Sequence, residues 1–96
     1  MHARTSSWKG SADTIERWAE HVKANVRPMV ERLPGNSGAY FFVDRADGRA
    51  LTLTLWEDED AALASDATAE QSRESTIAAT GVELLDRGRW EVAAQA

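Results

Sequence analysis

Gly38-Ala39-Tyr40-Phe41-Phe42-Val43-Asp44 and Arg49-Ala50-Leu51-Thr52-Leu53-Thr54-Leu55-Trp56, joined by Arg45-Ala46-Asp47-Gly48, decide the fold. The first stretch is rich in aromatic and branched residues and the second alternates leucine with threonine, both compositions that suit a pleated strand. The linker suits a type I turn whose glycine takes the left-handed bulge position. A three-residue loop of that kind sets Arg45 opposite Arg49. Ala39, Phe41, Val43, Leu51, Leu53 and Leu55 then share one face, and Tyr40, Phe42, Asp44, Ala50, Thr52, Thr54 and Trp56 share the other. Strands covered on one side alternate apolar with polar. Neither face of this hairpin is polar, so both require cover.

Upstream, residues 2–8 read as a short, polar first strand, broken at Gly10 and Ser11. Ser11 or Asp13 caps a helix, with Glu16 in its first turn. Ile15, Trp18, Ala19, Val22, Val26, Met29, Val30 and Leu33 form one apolar stripe at helical spacing. Pro28 cannot donate to the carbonyl of Ala24, which predicts a kink, and Pro34-Gly35 ends the helix. Downstream, the acidic run 57–60 opens an alanine-rich region reaching Thr80, read as one helix or as two broken near Ser65-Asp66. Gly81 stops it. Residues 82–93 read as a last strand, with a bulge expected at Gly88.

The order strand, helix, strand, strand, helix, strand predicts a ferredoxin-like α+β fold: a four-stranded antiparallel sheet with both helices on one face, and the first and third strands as a parallel central pair. Ninety-six residues fit a single domain, 1–96, with a thin core. Two helices cover one sheet face only. The chain has no cysteine to staple it. A second copy, packed sheet to sheet about a two-fold axis, covers the other face, so a homodimer is expected.

A net charge of −5 opposes sequence-independent binding to nucleic acid or to anionic membranes. Residues 1–10 lack the apolar core of a signal peptide, and no stretch approaches the ~20 apolar residues of a membrane span, so a cytoplasmic location is expected. The absence of cysteine removes thiolate metal sites and cysteine nucleophiles, and His2 and His21 have no metal-ligand spacing. No metal is expected. The run Glu57-Asp58-Glu59-Asp60 is explained by the helix macrodipole.

The polar first strand ending in Trp8-Lys9-Gly10, the helix ending in Leu33-Pro34-Gly35, the strand 38–44, the segment 48–56 leading into Glu57-Asp58, and the closing Arg89-Trp90-Glu91-Val92 together resemble the dimeric α/β-barrel proteins that include antibiotic biosynthesis monooxygenase-like domains. The resemblance implies a pocket in each subunit between sheet and helices. Such families hold cofactor-free oxygenases, haem-degrading enzymes and proteins without assigned activity. The haem-degrading branch carries its iron ligand as a histidine on the second helix, where residues 57–80 have none; His21, on the other helix, is the remaining histidine that could serve. No cofactor is expected.

Several residues are candidates for chemistry. Trp56, at the corner of strand and helix, is implied by the resemblance to line the pocket, and equally suits a core anchor that hydrogen-bonds through its indole. Tyr40, Phe42, Thr52, Thr54 and Trp56 on one face suit a flat, mostly apolar ligand, or else a dimer core. Trp18, His21 and Asn25 lie on one flank of the first helix, where a histidine can exchange a proton near neutral pH or simply sit half exposed. His21, Asn25, Trp56 and Tyr40 are thus candidate catalytic residues, and Trp18, Tyr40, Phe42, Thr54 and Trp56 candidate ligand contacts. His2 and Arg4 share a face of the first strand and need polar partners, with Glu83 or Asp86 of the last strand as possibilities.

Three functions follow: a cofactor-free monooxygenase acting on an electron-rich aromatic or polyketide-like molecule, a non-catalytic module binding a small apolar ligand, or a dimerisation domain. In the first, the substrate's own carbanion reacts with oxygen, and the protein supplies a base, a dry pocket and a hydrogen bond to the developing oxyanion.

Overall fold

The computed structural model describes residues 1–96. Its elements are β1 (His2–Lys9), α1 (Ala12–His21), a π-helical turn (Val22–Val26), α2 (Arg27–Glu31), β2 (Asn36–Asp44), β3 (Arg49–Trp56), α3 (Glu59–Ala64), α4 (Asp66–Thr80) and β4 (Glu83–Glu91). The sheet order is β2-β3-β1-β4, with every neighbour antiparallel. This is the ferredoxin-like arrangement, with one correction: β1 and β3 are not a parallel pair. The helical crossover returns the chain so that β2 runs with β1. The hairpin then reverses it, and β3 inserts between them antiparallel to both.

Ser11 caps α1, its hydroxyl accepting from the backbone N–H of Thr14 at 3.2 Å. The interruption expected at Pro28 is a π turn. The Arg27 N–H reaches back to the Val22 carbonyl, and the short α2 then starts around the proline. It ends at Glu31, two residues short of Leu33. The alanine-rich region is two helices, parted at Ser65, whose hydroxyl donates to the Ala62 carbonyl at 2.8 Å. Gly81 closes α4 in the left-handed conformation.

The hairpin register differs from expectation by one residue. Asp44, not Arg45, pairs with Arg49, so the loop has four residues, 45–48. The Asp44 carboxylate accepts from the Asp47 N–H, and Gly10 donates to the Gly48 carbonyl at 2.9 Å, which docks the loop on the end of β1. The shift exchanges the leucines and threonines of β3 between faces. Ala39, Phe41, Val43, Ala50, Thr52, Thr54 and Trp56 face the helices, joined by Arg4, Ser6 and Trp8 of β1. Tyr40, Phe42, Leu51, Leu53 and Leu55 share the open face. The grouping of Tyr40 and Phe42 with Thr54 and Trp56 is therefore corrected: they occupy opposite sides of the sheet.

Trp8, Ile15, Trp18, Ala19, Val22, Val26, Val30, Ala50 and Val82 form the core between sheet and helices. On the open face, Tyr40 (58% exposed) stacks on Phe42 (48%) with ring centroids 5.9 Å apart. Trp90, also 58% exposed, donates to the Thr5 hydroxyl at 2.8 Å and lies across Gly88, where a Cβ would meet the indole nitrogen at 2.8 Å. Gly88 makes room for a ring and is not the bulge. The extra residue is Leu85, between the pairs Ser7–Asp86 and Trp8–Leu84.

Candidate functional site

Three indoles wall the space between sheet and helices. Trp8 comes from β1, Trp56 from β3 and Trp18 from the buried stripe of α1. Trp8 and Trp18 meet with ring centroids 6.5 Å apart. Trp8 Nε1 donates to the Thr52 hydroxyl at 3.2 Å, and Trp56 Nε1 to the Thr54 hydroxyl at 3.0 Å. The Arg4 guanidinium lies 5.5 Å from the centre of the Trp56 ring, within cation–π range. Between these walls and Val22, Val26, Met29 and Leu33 lies a cavity of about 50 Å³. That is room for one or two waters, at ~30 Å³ each.

Two buried donors of this site have no partner: the Trp18 Nε1–H and the Arg73 Nε–H. Both residues line the cavity. An unpaired buried donor costs about 1–3 kcal/mol, and both of these belong to residues of the cavity wall. Arg4 is held differently. It donates to the Ser65 hydroxyl at 2.8 Å, to the Ala62 carbonyl at 2.6 Å and to Asp66. Burial pulls its guanidinium below the ordinary value, and the Asp66 hydrogen bond opposes this. Its partners are on α3 and α4, not Glu83 or Asp86 of β4. His2 Nε2 stands 3.9 Å from the Glu59 carboxylate.

Above the cavity, a groove of about 350 Å³ runs between the π turn and α4. It shares Val26, Met29 and Ser72 with the cavity and is also lined by His21, Asn25, Thr68, Gln71 and Ser75. Asn25 Nδ2 lies 3.3 Å from His21 Nδ1. With the amide donating, the neutral ring carries its proton on Nε2.

The structure thus brings Trp18, Thr54 and Trp56 together in the cavity and places His21 and Asn25 in the groove over it. It does not bring Tyr40 or Phe42 there. Both are on the open face, and Tyr40 also borders a shallow groove along the edge strand β2. Arg73 and Trp8 were not among the site residues expected from the sequence, where Trp8 figured only as the end of the first strand. The available signal for Arg73 was its place among Ala69, Ser72 and Thr76, a helix face otherwise made of small residues. No group of three or more His, Asp or Glu side chains is placed to hold a metal.

The family model for antibiotic biosynthesis monooxygenase matches residues 1–73. The chain belongs to the antibiotic biosynthesis monooxygenase family. An uncharacterised protein of Mycobacterium tuberculosis is 29% identical over 89 residues, covering 92% of this chain and 40% of that protein. The chain therefore spans about 40% of the length of this curated relative. Among solved structures, a monooxygenase from the ActVA-Orf6 gene of Streptomyces coelicolor, in complex with the ligand nanaomycin D, superposes with a TM-score of 0.75 at 14% identity, covering 99% of this chain and 89% of that one. A dimeric ferredoxin-like protein from an uncultured marine organism gives a TM-score of 0.76 at 12% identity over 99% and 96% of the two chains. These likenesses establish the fold.

Proposed function

We propose that this member of the antibiotic biosynthesis monooxygenase family is a homodimer that binds a flat, electron-rich aromatic or polyketide-like molecule between sheet and helices and inserts oxygen into it without a cofactor. The observation that carries the reading is that Trp18 and Arg73, two residues of the indole-walled cavity, each hold a buried N–H without a partner. The cavity takes the leading edge of such a molecule. The groove above it, at about 350 Å³, falls within the range usual for small-molecule sites, ~300–1,000 Å³. Met29 lies where the two meet, and its flexible thioether suits a boundary that must yield.

The chemistry rests on charge. An activated ring methylene loses a proton, and the electron pair left behind spreads onto the oxygen of the ring's conjugated carbonyl. Trp18 and Arg73 donate to that oxygen and favour the anion in a dry site. Oxygen accepts the electron pair and forms a carbon-bound hydroperoxide. Loss of water then leaves a carbonyl, so that one CH2 and one O2 become one C=O and one H2O. His21 in the groove takes the first proton once its Nδ1 is released from Asn25.

One observation favours a second reading, a binding module without catalysis: no carboxylate or imidazole lines the inner cavity. Oxygen uptake with anthrone separates the two. Turnover to the quinone well above the spontaneous rate, reduced at least tenfold in W18F and in R73Q, supports the oxygenase. Saturable binding with uptake at the spontaneous rate supports the binding module. The absence of both removes the site.

A further inference from the structure

Beside the cavity, a cleft of about 380 Å³ is lined by Arg4, Asp66, Glu70, Arg73, Arg87, Gly88 and Arg89. Arg4 and Arg73 line both spaces, so these two side chains form the wall that the cleft shares with the interior. Each carboxylate in it bridges one well-buried guanidinium and one exposed one. Asp66 holds Arg4 and, at 3.2 Å, Arg89. Glu70 holds Arg73 at 2.6 Å and Arg87 at 2.7 Å. Four guanidiniums against two carboxylates leave an excess of two positive charges here, in a chain whose net charge is −5. The local sign is therefore opposite to that of the molecule as a whole. Concave walls of one sign focus potential on a ligand of the other. Arg87 and Arg89 stand at alternate positions of β4, on the side of the sheet that carries the helices. Their side chains are about half exposed, and each uses one contact to a shared carboxylate. A guanidinium offers five N–H donors, so most of theirs are unused.

We propose that this cleft receives an oxyanion, carboxylate or sulfonate, carried by the same aromatic ligand that enters the cavity. Arg73 is the link: it lines both spaces, its Nη2 is committed to Glu70 on the cleft side, and its Nε is buried without a partner. The substrate class is then an aromatic acid, oriented with its charged end toward β4 and its reacting edge among the tryptophans. The inference rests on the interior binding site argued above and adds the polarity of the ligand to it.

Isothermal titration of the full chain at low salt with 2-naphthoate, 2-naphthalenesulfonate, the neutral 2-naphthamide and sodium acetate tests it. Both aromatic anions are expected to bind at least tenfold tighter than the amide. In R87Q/R89Q, which brings the cleft to two guanidiniums against two carboxylates, that preference falls to about one while naphthamide affinity holds. In E70Q the preference rises. Equal affinity of acid and amide for the native chain, or a preference that survives in R87Q/R89Q, overturns the anion site while leaving the cavity standing. Acetate binding as tightly as naphthoate overturns the link between cleft and cavity. Failure of all three aromatics removes both readings.

Discussion

Arg4 and Ser65 lie 61 positions apart, yet Arg4 Nη1 donates to Ser65 Oγ at 2.8 Å where α3 gives way to α4. The same guanidinium donates to the Ala62 carbonyl at 2.6 Å, which also accepts from the Ser65 N–H at 3.2 Å and the Ser65 hydroxyl at 2.8 Å. A buried arginine on a central strand therefore pins the corner of the second helical layer. Arg4→Ala removes three charge-assisted contacts, while Asp66 keeps Arg89 and the Ala62 carbonyl keeps Ser65, and is expected to cost about 2–3 kcal/mol, the upper range for hydrogen bonds to a charged group. Ser65→Ala removes a single neutral hydroxyl and costs about 1 kcal/mol. Urea unfolding of the two variants checks the order and the gap.

Trp18 and Trp56 are equally buried, at 1% exposure each, but only Trp56 has its indole N–H paired. Trp56→Phe loses that bond and replaces the indole beneath Arg4 by a smaller ring, and is expected to cost about 2–3 kcal/mol. Trp18→Phe relieves an unpaired donor while shrinking a packed ring, so the two effects oppose and stability changes by about 1 kcal/mol or less. Its loss is expected in ligand affinity. Melting temperature and naphthamide titration, measured on the same samples, separate these outcomes. A Trp18→Phe variant as unstable as Trp56→Phe would mean that the unpaired N–H has no bearing on the site.

Gly48 and Gly81 both hold left-handed backbone, with φ of 64° and 76°. Nothing stands within 4 Å of a Cβ at Gly81, whereas a Cβ at Gly48 would lie 2.2 Å from the Gly10 carbonyl oxygen. Gly81→Ala is expected to cost about 1 kcal/mol, the conformational term alone. Gly48→Ala must also part the hairpin loop from β1, so its cost is expected to exceed that of Gly81→Ala by about 1 kcal/mol or more. Denaturation midpoints of the two variants give the comparison.

The Glu70 carboxyl is held below the ordinary range, first by the Arg73 hydrogen bond, and the Glu16 carboxyl likewise by Arg45. A carboxyl with a lowered folded-state value contributes stability that is complete above its unfolded value and fades as pH falls through the folded one. The chain is therefore expected to lose stability on acidification below about pH 4.3. E16Q/E70Q is expected to be less stable than the native chain at pH 6 and to converge on it at the acid end. Urea midpoints measured across that range test the sign, and a constant difference between the two proteins would refute it.

Leu53 sits at the centre of the open face, flanked across the strands by Tyr40 and Thr5. If a second copy covers that face, Leu53→Glu buries an uncompensated charge at the two-fold interface and yields a monomer by sedimentation velocity. The cavity lies on the other side of the sheet, so secondary structure by circular dichroism is expected to persist. A native chain that sediments as a monomer at micromolar concentration would contradict the dimer outright.

The order of elements, the interruption at Pro28 and the stop at Gly81 were legible in the sequence, because each follows from contacts within a few residues, and the same contacts narrowed the cap to Ser11 or Asp13 and the alanine-rich region to one helix or two parted near Ser65. Membership in the family was legible for the same reason: its marks are local segments. The phase of the hairpin was not. With apolar residues on both faces, period-two alternation specifies that a strand exists but not which set faces the helices. A loop ending in a left-handed glycine accommodates either of two lengths. Tertiary packing made that choice. Once Gly10 docks on Gly48 and Trp8 faces Trp18, Thr54 and Trp56 must turn inward and Tyr40 and Phe42 outward. The meeting of Arg4 and Arg73 with the tryptophans was decided in the same way, by approaches across tens of residues that no local pattern encodes, whereas the antiparallel direction of β3 beside β1 follows from the crossover and the hairpin.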